Sequence, residues 1–230
     1  MEINIESLIE GAARAAGVVA IIDVFRAFTA AAVAFANGAT HITMVASVEE
    51  ALALRDQGAG QICMGEVQGR APERFDFGNS PCELSQADLS GKSIIQRTSA
   101  GTQGIVTAGK TAQQMFAASL VTASATARAM RSIATNRITL VAMGENGSRR
   151  SSEDEICALY LRNLLEGRQG NPEAARQMIL SGGEAAKFKD VSRPWLNPND
   201  VPFALDIDRY DFAIKVNMEN GYPVARKFDG

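Results

Sequence analysis

Asp23 and Arg26 stand together in the segment Ile22-Asp23-Val24-Phe25-Arg26-Ala27-Phe28-Thr29, between one apolar run and the next. A carboxylate in that place can hold a cation or orient water, and a guanidinium can grip an anion through two parallel N–H donors. Four further clusters have the same character. Gly65-Glu66 is followed by Gly69-Arg70, and Phe75-Asp76-Phe77-Gly78-Asn79-Ser80-Pro81 brings Asn79 and Ser80. Arg97-Thr98-Ser99-Ala100-Gly101-Thr102 has small residues that let backbone amides approach an anion. Gly144-Glu145-Asn146-Gly147-Ser148 leads to Ser151-Ser152-Glu153-Asp154-Glu155, whose three adjacent carboxylates are hard oxygen ligands suited to magnesium.

Each cluster also has a plainer reading. Asp23 could cap the helix that follows it, Arg26 could be a surface ion-pair partner, and Glu155 could be the reciprocal half of a capping box with Ser152. Glu153 and Asp154 could simply complement a helix N-terminus, and residues 97–99 could be an ordinary turn.

Other chemistries lack their residues. His41 is the only histidine, which removes catalytic triads and histidine phosphotransfer. Six residues separate Cys63 from Arg70, one too many for a cysteine-phosphatase loop. A P-loop and a Gly-x-Gly-x-x-Gly turn are absent, and no second aspartate lies two positions beyond Asp23. Cys63, Cys82 and Cys157 are too few and too scattered for a disulfide framework or a zinc cluster. With 23 basic and 26 acidic residues and no basic stripe, nucleic acid is not expected as a partner. Glu2, Glu6 and Glu10 occupy the place of a signal peptide's basic start, and no apolar run approaches the length of a membrane span. A soluble, cytoplasmic protein is expected.

Strands are expected at residues 18–24, 42–45, 61–65, 93–96, 114–117 and 137–142, alternating with helices at 27–37, 48–57, 122–134 and 152–166. This is the rhythm of an α/β sheet protein. Ser47-Val48-Glu49-Glu50 reads as a capping box, as does Ser152–Glu155. Residues 171–190 are helical in pattern, whereas 192–202 hold three of the seven prolines and should be irregular. Residues 212–216 and 224–228, flanking Glu219-Asn220-Gly221, predict a closing hairpin at the sheet edge. The whole chain, 1–230, reads as a single domain, with two similar alternating halves as one option, and its apolar closing segments could support a homodimer. The polar clusters fall just after the apolar runs, where ligands gather in open α/β sheets.

Taken in order, the motifs at residues 22–29, 65–66, 75–81, 98–102 and 152–155 closely resemble the 2-phosphosulfolactate phosphatase (ComB) family. The resemblance implies a three-layer α/β/α fold with a mixed sheet and a Mg²⁺-dependent acid phosphatase acting on 2-phosphosulfolactate in the route to coenzyme M. The small anionic substrate would be clamped by Arg26 and Arg97, with Asn79, Ser80, Thr98, Ser99, Gly101 and Thr102 around it. Asp23 with Glu66, Glu153, Asp154 or Glu155 would hold the metal or orient water, and Asp23 as direct nucleophile stays open. Ala100 departs from the asparagine that family members often carry there. Two alternatives stand beside this reading: a phosphatase of the same fold for another phosphorylated acid, and a non-catalytic binding protein for an anionic metabolite.

Overall fold

Residues 18–22 are all buried, which calls for a strand covered on both faces. The two faces separate with the strand's period of two. Val19 and Ile21 pack with Ala12, Phe28 and Ile105, whereas Val18, Ala20 and Ile22 pack with Met130, Cys157 and Leu161.

The computed structural model describes residues 1–229. Its first half contains β1 (Glu2–Ser7), α1 (Leu8–Arg14), β2 (Gly17–Ile22), α2 (Ala27–Ala36), β3 (His41–Val45), α3 (Val48–Asp56), β4 (Ile62–Gly65), α4 (Pro81–Leu84) and β5 (Ser93–Arg97). There follow α5 (Gly101–Ala108), β6 (Ala112–Ala118), α6 (Ala123–Arg131), β7 (Arg137–Ala142), α7 (Ser152–Leu165), α8 (Pro172–Ser181), α9 (Asp200–Ala204), β8 (Ala213–Glu219) and β9 (Tyr222–Phe228). Short 3-10 turns lie at Leu120–Thr122 and Ala185–Lys189.

The strands form one nine-stranded mixed sheet in the order β1-β7-β2-β6-β8-β9-β3-β5-β4. β1, β7, β2 and β6 run parallel, as do β3, β5 and β4. Helices α1, α2 and α5 contribute to the core on one face and α6 and α7 to the core on the other, giving the expected three-layer α/β/α architecture. Among the described residues no helix is long and apolar enough to cross a membrane.

Two local expectations are corrected. The β8–β9 hairpin forms around Asn220 and Gly221, both with positive φ as a two-residue turn requires. It lies in the middle of the sheet, however, pairing antiparallel with β6 on one side and β3 on the other. Ile214, Val216 and Ala225 are buried, as interior strands need. The Ser47 cap forms as expected, its Oγ accepting from Glu50 N at 3.1 Å. The Ser152–Glu155 box does not: α7 is preceded by Ser151, and Glu155 accepts instead from Ser7 Oγ at 2.7 Å. Strand β1, which sequence patterning leaves unassigned, supplies that serine.

β2 is third in the sheet and β5 eighth, so on a flat sheet their ends would lie roughly 24 Å apart at ~4.8 Å per strand. Yet Gly101 N, just beyond β5, donates to Asp23 Oδ2, just beyond β2, at 2.9 Å. The segments that follow β2 and β5 therefore converge and bring residues from the carboxyl ends of distant strands to one place.

Candidate active site

Three carboxylates fasten the strand-end loops to one another. Asp154, near the start of α7, accepts from Val24 N (2.7 Å) after β2 and from Gly144 N (2.8 Å) after β7. Asp23 accepts from Ala27 N (3.0 Å) at the start of α2 and from Gly101 N (2.9 Å) at the start of α5. Glu66, after β4, accepts from Ser99 N and Gly69 N, both at 2.5 Å. The loops after β7, β2, β5 and β4 are thus tied in series, each by a carboxylate taking main-chain amides from two segments.

This corrects in part the anion cradle expected of residues 98–102. Four of its five amides bind anionic or hydroxyl oxygens of the protein itself, the exception being Ala100 N, on a residue that lines the cavity. Ser99 N and Gly101 N serve Glu66 and Asp23, while Thr98 N and Thr102 N each donate to the other threonine's hydroxyl, at 2.8 and 3.0 Å. Thr98 and Thr102 are sealed in and do not reach the cavity. Arg97 is likewise displaced from its expected role as a clamp. Its guanidinium donates to Ala46 O, Glu66 O and Ser99 Oγ, joining the ends of β3, β4 and β5 from outside the cavity.

The cavity beside this framework measures about 370 Å³ and is lined by Asp23, Arg26, Glu66, Asn79, Ser99, Ala100 and Glu153 of the clusters read from sequence. Ser80 turns away to Asp200, Gly101 lies behind Asp23, and Glu155 points to Ser7. The far wall is a strap, residues 183–199, which brings Glu184, Lys187, Phe188, Arg193 and Trp195. Sequence reading assigned no role to these residues, although the chain's single tryptophan in a proline-rich stretch was a signal. Glu145 and Asn146 complete the rim. Lys187 bridges the two walls, 3.1 Å from Glu145 and 2.5 Å from Glu184.

Five lining carboxylates (Asp23, Glu66, Glu145, Glu153, Glu184) therefore outnumber three cations (Arg26, Lys187, Arg193). The imbalance shows in proton affinity. Burial, then the charge of Glu66, raises the Asp23 pKa to about 6. Burial, with Glu184 and Asp23 nearby, raises Glu153 to about 7. Asp154 is pushed well above the usual carboxylate range by complete burial and the charges of Glu153 and Asp23.

The three adjacent acids of α7 are thus separated by the fold. Asp154 is a fastener, Glu155 faces β1, and Glu153 alone reaches the cavity, with a buried Oε2 that has no hydrogen-bond partner. Asn79 Oδ1 is a second buried cavity atom without a partner. Among the described residues no three His, Cys, Asp or Glu side chains group as metal ligands. Magnesium commonly takes only one or two carboxylates, completing its shell with water and substrate oxygens. Asp23 and Glu153, whose ionisation is opposed chiefly by burial, both line the cavity and fit that requirement; Asp154 and Glu155 do not line it.

The family model for 2-phosphosulpholactate phosphatase matches residues 3–191. A protein of Bacillus subtilis named probable 2-phosphosulfolactate phosphatase is 30% identical over 210 residues, covering 90% of each chain. One of the same name from Thermoplasma volcanium is 33% identical over 191 residues, 83% of this chain and 85% of its own. One from Thermus thermophilus is 38% identical over 130 residues, 56% of this chain and 54% of its own. With a match across most of its length, the chain belongs to the 2-phosphosulfolactate phosphatase family.

Proposed function

We propose that this protein is a magnesium-dependent phosphatase that hydrolyses the phosphate ester of 2-phosphosulfolactate or a closely similar phosphorylated hydroxy acid. The observation that carries the reading is Glu153. A buried carboxyl with an unpartnered oxygen, disposed against ionisation and next to Asp23, marks a place short of positive charge. The same wall holds Arg26, which suits a substrate bearing several anionic groups.

In this reading Arg26 takes the phosphate, while Lys187 and Arg193 on the strap stand where a second anionic group of the substrate would lie. Asp23 and Glu153 hold the cation, and Asn79 offers its free amide oxygen to a hydroxyl or an ordered water. When bound, magnesium would supply Lewis-acid polarisation of the phosphoryl oxygens and offset their charge. Strap and loops wall the cavity on several sides, which strengthens the charge interactions at its buried end. Both Asp23 oxygens already accept main-chain N–H groups, which favours water over Asp23 as the attacking group.

The test is phosphate release from 2-phosphosulfolactate and a panel of phosphorylated hydroxy acids, with magnesium and with a chelator, for wild type and Glu153→Gln. Magnesium-dependent release lost in a folded Glu153→Gln supports the reading, and the panel names the substrate. Anion binding without release from any ester would leave a binding protein. A stoichiometric burst of the alcohol product before phosphate appears would restore Asp23 as nucleophile.

A further inference from the structure

Asp200 lies beyond the span that matches the family model and takes no part in any of the motifs read from sequence. It is completely buried at the first position of α9, and every acceptor site it uses belongs to one network. Its Oδ2 accepts from Arg26 Nη1 at 2.8 Å. Its Oδ1 accepts from Ser80 Oγ at 2.6 Å and from Cys82 N at 3.1 Å. The ion pair is sealed on both sides, with side-chain exposures of 4% for Arg26 and 0% for Asp200.

A guanidinium has five N–H donors held rigidly in a plane, so fixing one edge fixes the direction of the rest. On Arg26 the protein takes Nη1 with Asp200 and, at 3.5 Å, Trp195 O, and takes Nη2 once with Gly69 O at 3.2 Å. Nε and one Nη2 hydrogen are left, on a residue that lines the cavity. The ring of Phe188, 5.8 Å from the guanidinium carbon, limits movement out of this plane.

We propose that Asp200 is a positioning residue for anion binding: by holding Nη1 it turns the free edge of Arg26 toward the substrate phosphate, and through Ser80 it ties the 79–82 loop to the same geometry. The inference rests on the phosphatase reading for the identity of the anion as substrate, but not for its test. Asp200 touches no substrate itself. It sets how tightly an anion is held, and it joins the strap's far end to the site, so strap placement and Arg26 orientation are settled by one carboxylate.

The experiment measures the dissociation constant of inorganic phosphate in magnesium-containing buffer, together with KM and kcat for the preferred ester. It uses wild type, Asp200→Asn, Arg26→Ala, the double variant and Ser80→Ala, each checked by thermal melting. Loss of one oriented charge-assisted bond predicts a rise of roughly 10- to 100-fold in phosphate Kd and KM for Asp200→Asn, with kcat changed far less. On the Arg26→Ala background the same substitution should add nothing, because the group it orients is gone. If Asp200→Asn does not fold, Ser80→Ala takes its place. It frees the carboxylate to swing off Arg26, and it should weaken phosphate in wild type but not in Arg26→Ala.

An equal loss of kcat/KM with and without Arg26 would overturn the proposal, since that is the signature of a purely structural residue. So would unchanged phosphate affinity in folded Asp200→Asn and Ser80→Ala, or a wild type that binds no phosphate. Phosphate binding without ester hydrolysis would sink the hydrolase reading alone, and the variant comparison would still decide the role of Asp200.

Discussion

Asp23, Glu66 and Asp154 hold loops through main-chain amides whereas Glu153 does not, and substitution should separate them. Asp154→Ala leaves Val24 N and Gly144 N without acceptors in a sealed interior, which should cost roughly 2–5 kcal/mol of stability, read from chemical denaturation. Glu153→Gln removes a buried charge that has no ion-pair partner and whose Oε2 accepts no hydrogen bond. It should leave the melting temperature of the metal-free protein unchanged or raised while abolishing turnover; a large drop would show that Glu153 has a structural partner after all. Stability should also depend on pH with a definite sign. The folded protein holds protons on Asp23 up to about pH 6 and on Glu153 up to about pH 7, against ordinary values of 3.8 and 4.5. Between about pH 4 and 7 the folded state therefore binds more protons than the unfolded state, so metal-free stability should fall as pH rises, by a few kcal/mol in all. Denaturation curves at pH 5 and 7.5, with and without magnesium, check this. The cation should restore more at the higher pH, where its ligands are ionised.

At the scale of the elements, the site depends on how closely α5 approaches α2. A Cβ on Gly101 would lie 2.9 Å from both Ala27 Cβ and Asp23 Oδ2, and 3.0 Å from Phe28. Gly101→Ala must therefore push α5 off the Asp23 carboxylate. A cost of about 1–3 kcal/mol is expected, with a loss of activity larger than that destabilisation explains; near-normal turnover would show that the Asp23–Gly101 tie is dispensable. Arg97 works at this scale as well. Because its donors join the ends of β3, β4 and β5, Arg97→Ala should lower stability as well as activity, whereas a substrate clamp would affect activity alone. The motif containing Arg97 was legible as a strand-end cluster. Its direction was not, since a side chain after a strand can turn to ligand or to neighbouring carbonyls, and the choice depends on loops 31 and 51 residues distant in the chain.

The whole molecule is held together by its last two strands. The hairpin of β8 and β9 is the seam between a parallel group of four strands and a parallel group of three. Amides of Ile214, Val216 and Ala225 should exchange with solvent only through global unfolding, and Ile214→Ala should cost about 2–5 kcal/mol; fast exchange there would place the hairpin outside the cooperative unit. The sequence by itself determined the α/β alternation, the strands β2 to β7 to within a residue or two, the Asn-Gly turn, and the fact that the chemistry-bearing residues fall at strand ends. These follow from periodicity, β-branched and apolar runs, and turn residues, all of which act over a few positions. Only the tertiary structure decided that the hairpin is central, that Asp154 and Asp23 accept main-chain amides while Glu153 Oε2 has no partner, that Ser99 and Gly101 donate to the protein's own carboxylates, that Lys187 and Trp195 line the cavity, and that Asp200 pairs with Arg26. The reason is physical: each of these depends on which strand, donor or charge a segment meets when the chain folds, and most of those partners come from segments far away along the chain.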